Sequence, residues 1–94
     1  MKNNPSDFLD QEVNRFSESP ELKALWYDGK GDWKKAHDQV DHLSGKAAAR
    51  IHAYLHRKEG DLWNADYWYS KAGEKRPNLS LEEEWEGLVE RFWK

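Results

Sequence analysis

The most restrictive feature of the sequence is a pair of helix-forming stretches that meet at Gly60 and Asp61. Residues 46–58 are rich in Ala, and residues 61–74 are rich in Trp and Tyr. Gly readily ends a helix in the left-handed conformation, and an Asp directly after it accepts hydrogen bonds from the exposed N–H groups of the next helix. We therefore predict two antiparallel helices joined at this point, with the rest of the chain packed around them.

Composition favours an all-α fold. The 94 residues include 6 Trp, 4 Tyr and 3 Phe but no Thr, so β-branched residues are too few for a β-sandwich and aromatic side chains must supply much of the core. A chain of this length forms one domain, residues 1–94. We predict five or six short helices arranged as antiparallel hairpins, with a C-terminal capping helix.

Charge and hydropathy restrict the partners and the compartment. The net charge is -3 with acidic and basic residues interspersed, which leaves no basic stripe for a nucleic-acid backbone. No apolar stretch approaches the roughly 20 residues that a membrane-spanning helix requires. The absence of Cys removes disulfides and thiolate ligands. We expect a cytoplasmic protein that binds neither nucleic acid nor membrane.

Apolar spacing divides the chain into segments. Residues 1–5 are expected to be disordered, and Ser6 is expected to begin one short helix that continues to Phe16. Two repeat-like hairpins follow, at residues 20–44 and 46–77, and the capping helix covers residues 80–93. The acidic first turn of that last helix, Glu82 to Glu84, is expected to be solvated.

A Gly-Asp pair recurs at an offset of 29 residues, and each pair is predicted to end one helix and cap the next. Near the C-terminus, a Ser followed three residues later by Glu forms a capping box. The residues assigned to these helix ends are Gly31, Asp32, Gly60, Asp61, Ser80 and Glu83.

Residues Gly60, Ala65, Tyr69, Ala72 and Pro77 follow the spacing of the second helix of a tetratricopeptide repeat and its exit. The chain resembles that family closely over residues 46–77 and loosely over residues 18–44. The block from His52 to Gly73 is also similar to a segment of uncharacterised bacterial and fungal proteins. The tetratricopeptide resemblance implies stacked helical hairpins.

The function expected from this pattern is a non-enzymatic module that binds a protein or peptide partner, with self-association as a further expectation. Trp33, Trp63 and Tyr67 are the aromatic residues that we predict to contribute to a binding surface, whereas Trp68 and Tyr69 are predicted to be core. No catalytic triad or phosphate-binding glycine loop is found, and no cofactor is expected.

The alternative is a ligand or metal site at His52 and His56, including that of a small metal-dependent hydrolase. Four residues apart on a helix, their rings lie on one face and could bind one ion. The residue between them that would be Glu in a zinc protease motif is Ala53. A third ligand would have to come from His37, His42, Glu59 or Asp66. The interpretation we favour at this point is a buried pair hydrogen-bonded to its neighbours.

Overall fold

The fold is built around one central helix that contacts four others. The structure, a computed structural model, describes residues 5–93 and contains no strand within them, which confirms the all-α prediction. Its helices are α1 (Pro5–Asp10), a 3₁₀ turn (Val13–Phe16), α2 (Pro20–Gly29), α3 (Trp33–Val40), α4 (Lys46–Lys58), α5 (Leu62–Lys71) and α6 (Leu81–Phe92). Helix α4 packs against α2, α3, α5 and α6. Within the described part of the chain, no helix has the length and apolar character that crossing a membrane requires.

Two turns with the same hydrogen-bond pattern separate the helices of each hairpin. Gly31 and Gly60 have φ angles of 88° and 90°, a left-handed conformation that favours glycine. The N–H of the following Asp reaches back to the last turn of the preceding helix, Asp32 to Tyr27 and Asp61 to His56. Helices α2 and α4 therefore both end in a Schellman motif, which turns the chain back on itself.

The side chains that follow each glycine begin the next helix. Asp32 accepts a hydrogen bond from the N–H of Lys35, and Asp61 accepts one from the N–H of Asn64. At the start of α6, Ser80 and Glu83 form both hydrogen bonds of a capping box. Local sequence thus determines where these three helices begin.

The prediction of one helix between Ser6 and Phe16 is wrong. Helix α1 ends at Asp10, and a separate 3₁₀ turn begins at Val13. The carbonyl of Gln11, which a continuous helix would use internally, instead accepts a hydrogen bond from the indole N–H of Trp26 at 2.9 Å. Pro5, expected to be disordered, is the first residue of α1. The remaining residues of that expectation, 1–4, lie outside the described part of the chain.

Aromatic side chains from both ends of the chain close the core. The Phe8 ring lies 4.8 Å from that of Phe16 and 5.4 Å from that of Trp93, measured between centroids. On the central helix, residues 48–56 are all buried. Because α4 has no solvated face over this stretch, its polar side chains need partners inside the protein.

Glu84 is one such partner, and the expectation that it is solvated is wrong. Its side chain is 2% exposed. One carboxylate oxygen lies 2.7 Å from Nη1 of Arg57, and the other lies 2.8 Å from Nη1 of Arg50 and accepts the hydroxyl hydrogen of Tyr69. Burial and this carboxylate raise the pKa of the Tyr69 hydroxyl. The network joins α4, α5 and α6.

We predict that Glu84→Ala destabilises the protein by about 3 to 5 kcal/mol, because it leaves two arginines and a tyrosine hydroxyl without their buried acceptor. Urea unfolding followed by tryptophan fluorescence measures the change. The matched control is Glu86→Ala, an exposed position on the same helix, which should change the free energy of unfolding by less than about 0.5 kcal/mol. Equal effects of the two substitutions would show that the Glu84 network does not stabilise the fold.

Candidate functional site

Three histidine side chains meet between α3 and α4. His37 lies on α3, and His52 and His56 lie one turn apart on α4. One nitrogen from each ring lies within 4.8 Å of the corresponding nitrogens of the other two. His52 and His56 are 5% and 8% exposed, whereas the His37 side chain retains 22% exposure. The cluster is therefore buried on the α4 side and reaches solvent at His37.

The closest contact in the cluster joins two ring nitrogens. Nε2 of His37 lies 2.9 Å from Nε2 of His52, a distance at which one neutral ring donates its N–H and the other accepts. The rings of His52 and His56 stack with their centroids 4.7 Å apart. Three basic nitrogens thus face one small volume.

The outer nitrogens of two of these rings face carboxylates. Nδ1 of His56 lies 2.6 Å from Oε1 of Glu59, and Nδ1 of His37 lies 3.7 Å from Oδ2 of Asp41. A carboxylate on the far nitrogen orients the ring and makes its other nitrogen a better electron donor. Glu59 therefore leaves Nε2 of His56 as the nitrogen available to the cluster, and Asp41 places negative charge beside His37 without a hydrogen bond.

Two indole rings cover the sides of the cluster. Trp33 stacks on His37 with a centroid distance of 4.9 Å and an angle of 10° between the ring planes. Trp68, from α5, stacks on His52 at 4.1 Å and 21°. The indole N–H of Trp33 donates to the carbonyl oxygen of Leu55 at 2.7 Å, which holds this ring against α4. The histidines are thus packed from both sides and cannot reorient freely.

The electrostatics keep one ring neutral. Burial of the His52 side chain, together with the neighbouring His56 and His37, lowers its pKa from 6.5 to about 4. A neutral imidazole has a free lone pair, which a metal ligand or a hydrogen-bond acceptor requires. At neutral pH the cluster therefore presents at least one unprotonated ring.

Of the residues that the sequence pointed to, His52, His56 and Trp33 come together in this cluster. Trp63 and Tyr67 do not, since they are 82% and 48% exposed on the outer side of α5. Trp68, assigned to the core, is only partly buried and covers His52.

His37 appeared in the sequence only as one of four possible third ligands. A signal was present, because His37 follows Trp33 by four residues and lies on the same side of α3. Asp41 and Glu59 carried a weaker signal: they follow His37 and His56 by four and three residues, but exposed acidic residues near helix ends are common without any such role.

We predict that the His52 ring of the metal-free protein stays neutral well below pH 6.5 and titrates near pH 4. Because the unfolded chain takes up this proton at about pH 6.5 and the folded one does not, protonation favours unfolding. The contribution of His52 to stability is complete above pH 6.5 and is lost as the pH falls to about 4. NMR titration of the ring resonances measures the pKa, and urea unfolding at several pH values measures the loss.

The matched variants are His52→Gln and His42→Gln, since the His42 side chain is 68% exposed and lies outside the cluster. The first should flatten the fall in stability between pH 6.5 and 5, and the second should leave it unchanged. A His52 resonance that titrates near pH 6.5 contradicts the prediction.

Comparison of the chain with models of protein families, with curated proteins and with solved structures found no match.

Proposed function

We propose that this protein binds one divalent transition-metal ion, with Zn²⁺ as the best fit, through His37, His52 and His56. The observation that carries the proposal is the convergence of three ring nitrogens within 4.8 Å of one another. Imidazole nitrogen is a preferred ligand of Zn²⁺ and of neighbouring first-row ions. The proposal adds His37 to the two histidines identified from the sequence.

The spacing of the nitrogens supports this proposal. Zn–N bonds of about 2.0 to 2.1 Å at tetrahedral angles place ligand nitrogens about 3.3 Å apart. The His37 and His52 nitrogens, at 2.9 Å, need to separate slightly, and the widest pair, within 4.8 Å, needs to close. His37 is the most exposed of the three, so its side chain is the least restricted in making this adjustment, although the Trp33 indole stacks on its ring.

The surroundings of the rings also support binding. Glu59 lies 2.6 Å from the outer nitrogen of His56, in the way that carboxylates support metal-bound histidines, and Asp41 lies farther from His37, at 3.7 Å. The hydrogen bond between His37 and His52 describes the metal-free protein, in which one ring nitrogen donates its proton to the other. Metal binding replaces that proton, so the buried hydrogen-bonded pair and the metal site are two states of one cluster.

We predict that the protein binds one equivalent of Zn²⁺ or Co²⁺ and that binding raises its melting temperature, because the ion binds only the folded arrangement. His37→Ala, His52→Ala and His56→Ala should each weaken binding by at least about 100-fold, as each removes one of three ligands. Titration against a chromophoric chelator measures affinity, and thermal unfolding with and without a chelator measures stabilisation.

His42→Ala is the control, because this ring is exposed and contacts Asp41 rather than the cluster. It should bind metal as the unaltered protein does. Glu59→Gln keeps all three ligands and should weaken binding by about 10- to 100-fold through the loss of support on His56. A stoichiometry near zero, or equal losses for His42→Ala and the ligand variants, would exclude the site.

A second candidate function is the protein interaction expected from the sequence. Three of the exposed large apolar side chains lie on α5, namely Leu62, Trp63 and Tyr67, with exposures of 44%, 82% and 48%. Charged residues of both signs lie on the same helix, Asp66, which pairs with Arg76, and Lys71, whose Nζ lies over the Tyr67 ring. Since such a surface is compatible with a copy of itself, we propose a second copy of this chain as its occupant.

We predict a weak, concentration-dependent dimer. Three apolar side chains form a small surface, and interfaces that bury less than about 1,200 Å² are typical of weak complexes. Sedimentation velocity over a range of protein concentrations measures the association. Trp63→Ser combined with Tyr67→Ser should abolish it, whereas Lys23→Ser, on α2, should not. A monomer at every concentration excludes self-association through this surface.

A further inference from the structure

We propose that an ion bound by His37, His52 and His56 keeps a fourth coordination position that no side chain fills, and that this position binds a small anion. This inference rests on the proposed metal site and states what the site would take as its ligand.

No carboxylate completes the ligand set among the described residues. The group formed by the three histidines contains no Asp or Glu. The nearest acidic side chains group with only one histidine each, Asp38 and Asp41 with His37, and Glu59 and Asp61 with His56. These acidic groups belong to the two outer edges of the cluster rather than to its centre.

The contacts of three of these four carboxylates hold them at the outer edges. Glu59 contacts the outer nitrogen of His56, and Asp61 caps α5 through the N–H of Asn64. Asp41 lies beside the outer nitrogen of His37 and also contacts His42. A tetrahedral ion with three histidine ligands therefore has one position left for a molecule from solvent.

The charge of the site favours an anion in this position. Neutral imidazoles do not compensate the double positive charge of the ion, unlike thiolates or carboxylates. His52 and His56 are 5% and 8% exposed, so water screens this charge poorly. An anion that replaces a coordinated water molecule would neutralise part of the charge of the ion. The bond to water breaks and a coordinate bond to the anion forms.

The walls of the site limit the size of this anion. The indole rings of Trp33 and Trp68 stack directly on His37 and His52, and His37 is the most exposed of the three histidines. A small anion with one donor atom, such as azide or the carboxylate of acetate, can enter beside His37. An anion with bulky groups next to its donor atom would collide with the indoles.

The test uses the full chain loaded with one equivalent of Co²⁺, whose visible absorption reports the number and type of its ligands. Azide and acetate are added separately, up to about 100 mM, a range that detects millimolar affinity. We expect the absorption to change and saturate with each anion while Co²⁺ stays bound. Diphenyl phosphate, a bulky anion, should bind at least about tenfold more weakly than acetate.

Several outcomes separate this inference from the metal site itself. If the protein binds Co²⁺ but its spectrum is unchanged by azide, the protein supplies the fourth ligand, and the inference is overturned while the metal site stands. Asp61→Asn and Glu59→Gln identify such a ligand, because the variant that lacks it would gain a response to azide. If the protein binds no Co²⁺, the proposed metal site is excluded, and the anion position is excluded with it.

Discussion

The structure depends on the polar side chains of α4. This helix is buried along nine consecutive residues, so its polar groups must find partners inside the protein. On α4, Arg50, His52 and His56 are buried among Ala, Ile, Tyr and Leu. An unpaired polar group at such positions costs on the order of 1 to 3 kcal/mol, and an unpaired charge costs more. The neighbouring helices are therefore positioned by the partners they bring as well as by apolar packing.

Three polar contacts extend from α4 in three directions. Glu84 of α6 pairs with Arg50 and Arg57, while Asp28 of α2 accepts hydrogen bonds from Tyr54 and Lys58 at 2.7 and 2.9 Å. In both of these contacts a carboxylate meets positive or hydroxyl groups, so the charges are compensated within the protein. They account for how α2 and α6 are held.

The third contact, between α4 and α3, differs chemically because histidine side chains on one helix meet a histidine on the other. Three imidazoles that face one another cannot all be protonated, and a proton shared between two of them leaves the third without a partner at the centre. The carboxylates that would balance positive charge, Glu59 and Asp41, lie on the outer nitrogens. A bound metal ion would satisfy all three inner nitrogens at once, which is the physical reason why we propose a metal site at this contact.

The sequence by itself determined the helical class of the fold and the ends of several helices. These properties depend on residues close together in the chain: Gly at a left-handed position followed by a capping Asp, or Ser80 three residues before Glu83. It also identified His52 and His56 as neighbours, since a spacing of four on a helix places two rings on one face.

Only the tertiary structure decided that His37 joins them, that Glu84 is buried, and that the chain near Gln11 leaves the helical path to meet Trp26. Each of these features depends on a contact between helices whose relative positions no local pattern encodes. A four-residue spacing is a property of one helix, whereas a three-histidine site requires two helices to pack at a particular rotation and register.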